Sequence, residues 1–290
     1  MVDRFKAAMA TGAPRKVVSL AVQATYSSTS TYVGGVTVQP DDPRIFLLGG
    51  KAQKGTSYPS STAVIGQGRT NGDPTVMSGK GLSEYRSGVN NGFEFTLPAN
   101  QNEFEAVVFR DGINAPIQLE VDGAFASNQG FDSGWSLNTT FVYAKFALPA
   151  SSKARRIRIT TGWRSFAGLR LPSGATIDPV PTRATPFNLV FQGDSITAGS
   201  VATQVIYTWP MQAAYRLGID NPIIVGVGGS GYLARFPKAT GYNFRELWMT
   251  FSRQSTAARP TPLSLQAASM IAERWQARRG CRCRMSAMKP

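Results

Sequence analysis

The chain has 290 residues, of which 42% are hydrophobic and 17% charged, and its formal net charge is +14. This is longer than one average domain, and the balance is that of a chain with a core to bury, which excludes the disordered and fibrous classes. No window approaches 18 consecutive apolar residues, so no membrane-spanning helix is expected.

The charge is unevenly placed. From Arg253 to Lys289 there are eight basic residues against one acid, Glu273, so half of the excess sits beyond Phe251. The remainder forms no basic stripe interleaved with aromatics, which argues against specific nucleic-acid binding. Both cysteines, Cys281 and Cys283, fall in the same tail. With no histidine in the chain and no further cysteine, they make no zinc site, and such close neighbours rarely pair as a disulfide. No metal or cofactor is expected.

Residues 1–25 form an N-terminal segment. Arg15 and Lys16 precede the apolar run Val17 to Ala24, which reads as a first strand. The competing reading is a secretory leader cleaved near Val22-Gln23-Ala24; the run is short for that and is interrupted by Ser19 and Gln23. The compartment therefore stays open between secreted and cytoplasmic.

Residues 26–171 carry the signature of an all-β unit. A Ser-, Thr- and Gly-rich stretch to residue 91 contains the apolar pieces Ile45 to Leu48 and Thr62 to Ile65. Clear strands follow at Phe93 to Leu97, Glu103 to Phe109, Ile117 to Val121, Phe141 to Leu148 and Arg156 to Thr160, with an Asp122-Gly123 turn after the third. Short alternating strands separated by Asn, Gly, Asp and Pro predict antiparallel pairing in a β-sandwich or jelly roll, each strand with a core face and a polar face. Trp135 and Trp163 are candidates for stacking on sugar rings, although tryptophans in a sandwich more often pack its core or rim.

The segment LPSGATIDPVPTRATP, residues 171–186, has four prolines and no periodicity. Residues 172–186 thus read as a linker or extended crossover. Beyond it the pattern changes to strand (Leu189 to Phe191), helix (Pro210 to Leu217, with Gly218 past its end) and strand (Ile223 to Val225). Apolar runs flanking a helix predict a parallel βαβ unit, the start of an α/β domain over residues 187–250.

Chemistry concentrates at Gly193-Asp194-Ser195, directly after the first of these strands. Ligands of open α/β sheets bind at that end, and a serine at a helix N-terminus there would be a candidate nucleophile with N–H groups for an oxyanion. The structural alternative is a serine and aspartate that merely cap a turn. The block is not the Gly-x-Ser-x-Gly elbow, because residue 197 is Thr. After the next strand comes Gly226-Val227-Gly228-Gly229-Ser230-Gly231. Its spacing also matches a dinucleotide fingerprint, but it follows the second strand and lacks the acidic partner about 20 residues on.

An apolar strand followed by Gly-Asp-Ser-Ile-Thr-x-Gly, residues 193–199, resembles the first block of the SGNH, or GDSL, hydrolases, and the glycine turn at 226–231 resembles their second. The resemblance implies a flavodoxin-like α/β fold, Ser195 as nucleophile, and the N–H groups of Ser195 and Gly229 in the oxyanion hole, with Gly193 and Asp194 supporting. Acetyl-xylan-esterase-type carbohydrate esterases of this superfamily join a jelly roll to the hydrolase domain, which implies acylated carbohydrate as substrate and fits the two-part pattern here.

Two family blocks are missing: the Gly-x-Asn-Asp loop and the C-terminal Asp-x-x-His that supplies the base. Lys238 is the only lysine between the linker and the tail, and nothing in the sequence sets it beside Ser195. Residues 251–290 read as an aberrant, frame-shifted replacement for the rest of the hydrolase domain; a genuine basic tail is the alternative. The expectation is thus a multi-domain chain, a sandwich followed by an incomplete α/β domain, that is an esterase by descent and impaired in catalysis. The competing class is a non-catalytic glycan-binding sandwich with a vestigial hydrolase segment.

Overall fold

The computed structural model describes residues 16–48, 53–54, 65–66, 92–109, 117–131, 141–161, 166–181, 189–199, 202–219, 221–226 and 231. Trp135, Trp163, Gly229, Lys238 and the tail with its two cysteines lie outside them. The described chain is mostly β-sheet, with one α-helix.

The strands in chain order are β1 (Gln23–Ser27), β2 (Val36–Val38), β3 (Phe46–Leu47), β4 (Gln53–Lys54), β5 (Ile65–Gly66), β6 (Gly92–Leu97), β7 (Glu103–Phe109), β8 (Gln118–Val121), β9 (Ala124–Phe125), β10 (Phe141–Ala147), β11 (Arg155–Thr160) and β12 (Phe166–Leu171). They pair antiparallel in two sheets. One runs β1-β10-β7-β12-β5-β4 with β2 also on β12, and the other runs β3-β6-β11-β8-β9. β12 has no counterpart among the predicted strands. It is bulged at Gly168, whose φ of +112° and close approach to the Val38 carbonyl leave no room for a side chain.

Alternation explains the core. Phe93, Phe95 and Leu97 from β6 and Ile157 and Ile159 from β11 meet Phe104, Ala106 and Val108 from β7 and Val142, Ala144 and Phe146 from β10 in one buried cluster. The rings cross between the sheets. Phe95 and Phe104 meet edge-on at 5.1 Å, and Phe93 stacks on Phe166. Each such side chain contributes ~1.5–3 kcal/mol by leaving water.

The other face of the five-stranded sheet departs from expectation. Alternation predicts a solvated polar face, yet Glu94, Gln118, Glu120, Arg158 and Thr160 are all buried there. The register places Arg158 of β11 directly between Glu94 of β6 and Glu120 of β8. Arg158 Nε donates to Glu94, which also accepts from Arg156 Nη2. Opposed charges on neighbouring strands let this row be buried without an isolated charge.

Residues 172–181 run along the edge of this sheet. Asp178 pairs antiparallel with Thr96 of β6, and Ile177 is buried in the sandwich core. Residues 16–18 likewise strap β9, with the Val18 N–H donating to the Phe125 carbonyl.

β13 (Val190–Gly193) and β14 (Ile223–Gly226) form a two-stranded parallel sheet, joined through a 3-10 turn at Val205–Tyr207 and the helix α1 (Trp209–Arg216). Pro210 occupies the first turn of α1, where its missing N–H costs nothing. The helix stops in a Schellman arrangement: Ile219 N–H bonds the Ala214 carbonyl, Gly218 N–H bonds the Tyr215 carbonyl, and Gly218 takes φ +66°. Met211, Ala214 and Tyr215 face inward with Phe191 and Ile224. A pair of strands and two turns of helix bury little, so this small core recruits Phe125 from β9 of the sandwich. Phe125 meets the Tyr215 ring edge-on at 6.0 Å, and Gln118 Nε2 donates to Gln204 Oε1 at 2.7 Å.

Candidate functional site at the end of the parallel strand pair

Val190 and Phe191, both buried, carry β13 through the small core to Gly193, which stands opposite Gly226 in the parallel register. Beyond Gly193 the chain makes one hydrogen-bonded turn: Ala198 N–H donates to the Asp194 carbonyl and Gly199 N–H to the Ile196 carbonyl. The sequence led us to expect a helix N-terminus here. The structure has a single turn instead, closed by Gly199 at φ +88°, so a full helix dipole does not act at Ser195.

Asp194 organises that turn. Its Oδ1 accepts the Ile196 N–H at 2.9 Å, as an N-cap acceptor would. The next residue is half-buried Ser195, and then Ile196 is 60% exposed. Among the described residues the Ser195 N–H has no acceptor, as expected for the opening position of a turn. Thr197 is buried and folds back over Gly193.

Glycine is required at both strand ends by close approach. A Cβ on Gly193 would fall on the Thr197 side chain, and one on Gly226 would fall on the Ala198 backbone. The turn carrying Ser195 therefore lies flat across the ends of both strands.

The structure thus brings Gly193, Asp194 and Ser195 together with Gly226, the first residue of the glycine-rich turn. Gly229, the expected second oxyanion donor, lies outside the described residues, as does Lys238. Sequence reasoning missed the structural part of Thr197 and Ala198, whose contacts depend on how tightly the turn folds. No group of three or more His, Cys, Asp or Glu side chains that could hold a metal occurs among the described residues.

A cleft of about 570 Å³ lies elsewhere, against Ala99 to Glu103, Ala147 and Leu148, and Pro172 to Ala175. It opens at the Leu97–Arg155 end of the paired strands β6 and β11. The βαβ unit instead touches the sandwich at Gln118, next to Thr160, which pairs with Gly92 at the other end. The length of β6, roughly 17 Å, separates the two regions.

No protein-family model and no curated protein matches the chain. Solved structures do. A salicylyl-acyltransferase from a tetracycline biosynthetic pathway is 16% identical, with a TM-score of 0.50 over 68% of this chain and 55% of that one. A family two carbohydrate esterase from Cellvibrio japonicus is 15% identical, with a TM-score of 0.46 over 78% of this chain and 60% of that one. An acetyl xylan esterase from the rumen bacterium Butyrivibrio proteoclasticus is 18% identical, with a TM-score of 0.41 over 78% and 53%. The chain spans between half and three fifths of the length of these proteins, and at these identities the likeness is one of fold.

Proposed function

We propose that the chain is an SGNH-type serine ester hydrolase of the jelly-roll-plus-α/β kind, acting on O-acyl groups of carbohydrate, and that it is catalytically impaired. The observation that carries this reading is the turn holding Ser195 over the paired strand ends at Gly193 and Gly226. That arrangement sets a serine, whose N–H has no acceptor among the described residues, beside the start of a glycine-rich turn, as acyl transfer through an oxyanion requires. The fold likeness to an acyltransferase supports the same reaction class, since transfer to water and transfer to another acceptor share the attack on an ester carbonyl.

In this proposal the Ser195 hydroxyl attacks the carbonyl carbon, and the N–H groups of Ser195 and Gly229 hold the oxyanion. The alcohol then leaves, and water releases the acyl group from Ser195. Deprotonation of the serine has no histidine to serve it anywhere in the chain. Loss of a triad member lowers turnover by several orders of magnitude and leaves what oxyanion stabilisation and binding provide. Residues 251–290 are proposed to replace the missing blocks through a frame shift; the DNA beyond codon 247, read in its other frames, would then encode Gly-x-Asn-Asp and Asp-x-x-His.

The test is p-nitrophenyl acetate hydrolysis by the full chain and by Ser195→Ala, each with and without imidazole as a base supplied from solution. Slow turnover that imidazole raises above its own background in the parent chain, and not in Ser195→Ala, supports the proposal. Equal rates for the two proteins in both conditions overturn it.

A further inference from the structure

The connection that leaves the Ser195 turn is gripped from the sandwich by one short stretch of chain. Residues 118–128, which hold β8, β9 and the turn after them, meet residues 204–215. Gln118 Nε2 donates to Gln204 Oε1 at 2.7 Å, Tyr207 Oη donates to the Asn128 carbonyl at 2.9 Å, and the Phe125 ring meets Tyr215 edge-on. The first of these lies nearest to Ser195 along the chain. Gln204 opens the 3-10 turn at Val205–Tyr207, and its carbonyl accepts the Tyr207 N–H. On the other side the Ala202 N–H donates to the Gly199 carbonyl, and Gly199 closes the Ser195 turn by donating to the Ile196 carbonyl. Short-range bonds thus lead from the Ser195 turn to Gln204.

The two ends of the Gln118–Gln204 bond differ in stiffness. Gln118 is fully buried in β8, and the antiparallel register sets it opposite Thr160 of β11, so its backbone is fixed by the five-stranded sheet. The Ser195 turn rests on a two-stranded sheet, which has little rigidity of its own. Burial keeps water from competing for the Gln118 amide, and a hydrogen bond shielded in this way is the stronger for it. The neighbouring contacts do not substitute for it. Tyr207 is 48% exposed, so water competes for its hydroxyl, and Phe125 supports the helix, not the turn.

We propose that Gln118 is a positioning residue for Ser195: through Gln204 the sandwich sets where the Ser195 turn sits over the ends of β13 and β14. The inference rests on the esterase reading for what the turn does, whereas the positioning itself is a property of the fold. A nucleophile displaced by about 1 Å loses on the order of a hundredfold in rate, so a sandwich residue that touches no substrate still bears on the reaction.

Hydrogen–deuterium exchange of the full chain tests it at the amides of Ile196, Ala198, Gly199 and Ala202, whose N–H groups are bonded within the turn and its exit. Gln118→Leu and Gln204→Leu each remove the bond, from opposite sides, and the double variant closes the cycle. Gln204 is only half-buried, so its variant spares the sandwich core if Gln118→Leu fails to fold. Val142→Ala, which loosens that core away from the seam, is the control. Exchange in the turn should accelerate about tenfold in each single variant and no further in the double one, because the partners act through one bond. Leu119, Ile157 and Ile159 should keep their parent rates, and Val142→Ala should leave the turn unchanged. With imidazole supplied, the Ser195-dependent hydrolysis of p-nitrophenyl acetate should lose about tenfold or more in kcat at unchanged KM in both single variants. Parent-like exchange in the turn, additive effects in the double variant, equal acceleration in β8 and β11, or a parent-like kcat would overturn the proposal. A parent chain without Ser195-dependent turnover would sink the esterase reading, and the exchange rates would then decide the positioning by themselves.

Discussion

Gly226 lies under Ala198, so close that a Cβ on the glycine would stand 2.3 Å from the Ala198 amide nitrogen. The contact is with backbone, which no rotamer change can relieve. It fixes the turn containing Ser195 against the end of β14.

Gly226→Ala should therefore loosen the strand pair selectively. Overpacking of this kind costs ~1–3 kcal/mol. Amide exchange at residues 190–193 and 223–226 should accelerate about tenfold or more, while β7 and β10 keep their parent rates. Parent-like exchange at the strand pair would show that the turn does not press on Gly226.

Asp194 has a mechanical part in the same turn through its bond to the Ile196 N–H. Asp194→Ala should destabilise the unit by ~1 kcal/mol, and Asp194→Asn, which keeps an acceptor oxygen, by only a few tenths. Local exchange rates at residues 196–199 distinguish the two. Equal effects from both substitutions would mean that charge, not the hydrogen bond, is what matters.

The buried row Glu94–Arg158–Glu120 predicts an asymmetric response. Arg158→Met leaves Glu94 with Arg156 and takes from buried Glu120 the cation 3.9 Å away, and should cost ~3–5 kcal/mol. Replacing all three by Leu, Met and Leu should restore much of that loss, because no carboxylate of the row is then left without its cation. Urea denaturation of the single and triple variants provides the comparison, and a triple variant weaker than the single one would contradict it.

Asp42 provides a pH-dependent term. Its carboxylate accepts from the Arg44 Nε and Nη2 groups and the Arg44 backbone N–H, and the side-chain bonds to Arg44 hold it below the ordinary aspartate range. A pKa depressed in the folded state gives stability that is complete above the unfolded value and lost as pH falls through the folded one. The advantage of the parent chain over Asp42→Asn should be constant from neutral pH to about 5 and shrink below about 4. Thermal midpoints measured from pH 7 to pH 2 test this, and a gap that does not vary with pH would refute it.

Much of the sandwich was legible in its residues. β6, β7, β8, β10 and β11 fall within a residue of the runs read from period-two alternation, because a strand's side-chain period is a property of the strand alone. α1 was equally legible from Pro210 and Gly218, and Gly193-Asp194-Ser195 was placed at a strand end, although as the opening of a helix where the structure has a single turn. β12 escaped because Gly168 breaks its alternation with a bulge.

What alternation could not convey is which faces would be covered. The charged row on β6, β11 and β8 reads as a solvent face, yet it is buried. Phe125 reads as part of the sandwich, yet it completes the small core beneath Tyr215, 90 residues along the chain. The Arg155 guanidinium likewise joins the Pro149 and Gln101 carbonyls, on turns whose meeting depends on strand pairing. Periodicity is set by neighbours in sequence, whereas coverage is set by elements far apart in the chain, and those relations emerge when the sheets pack.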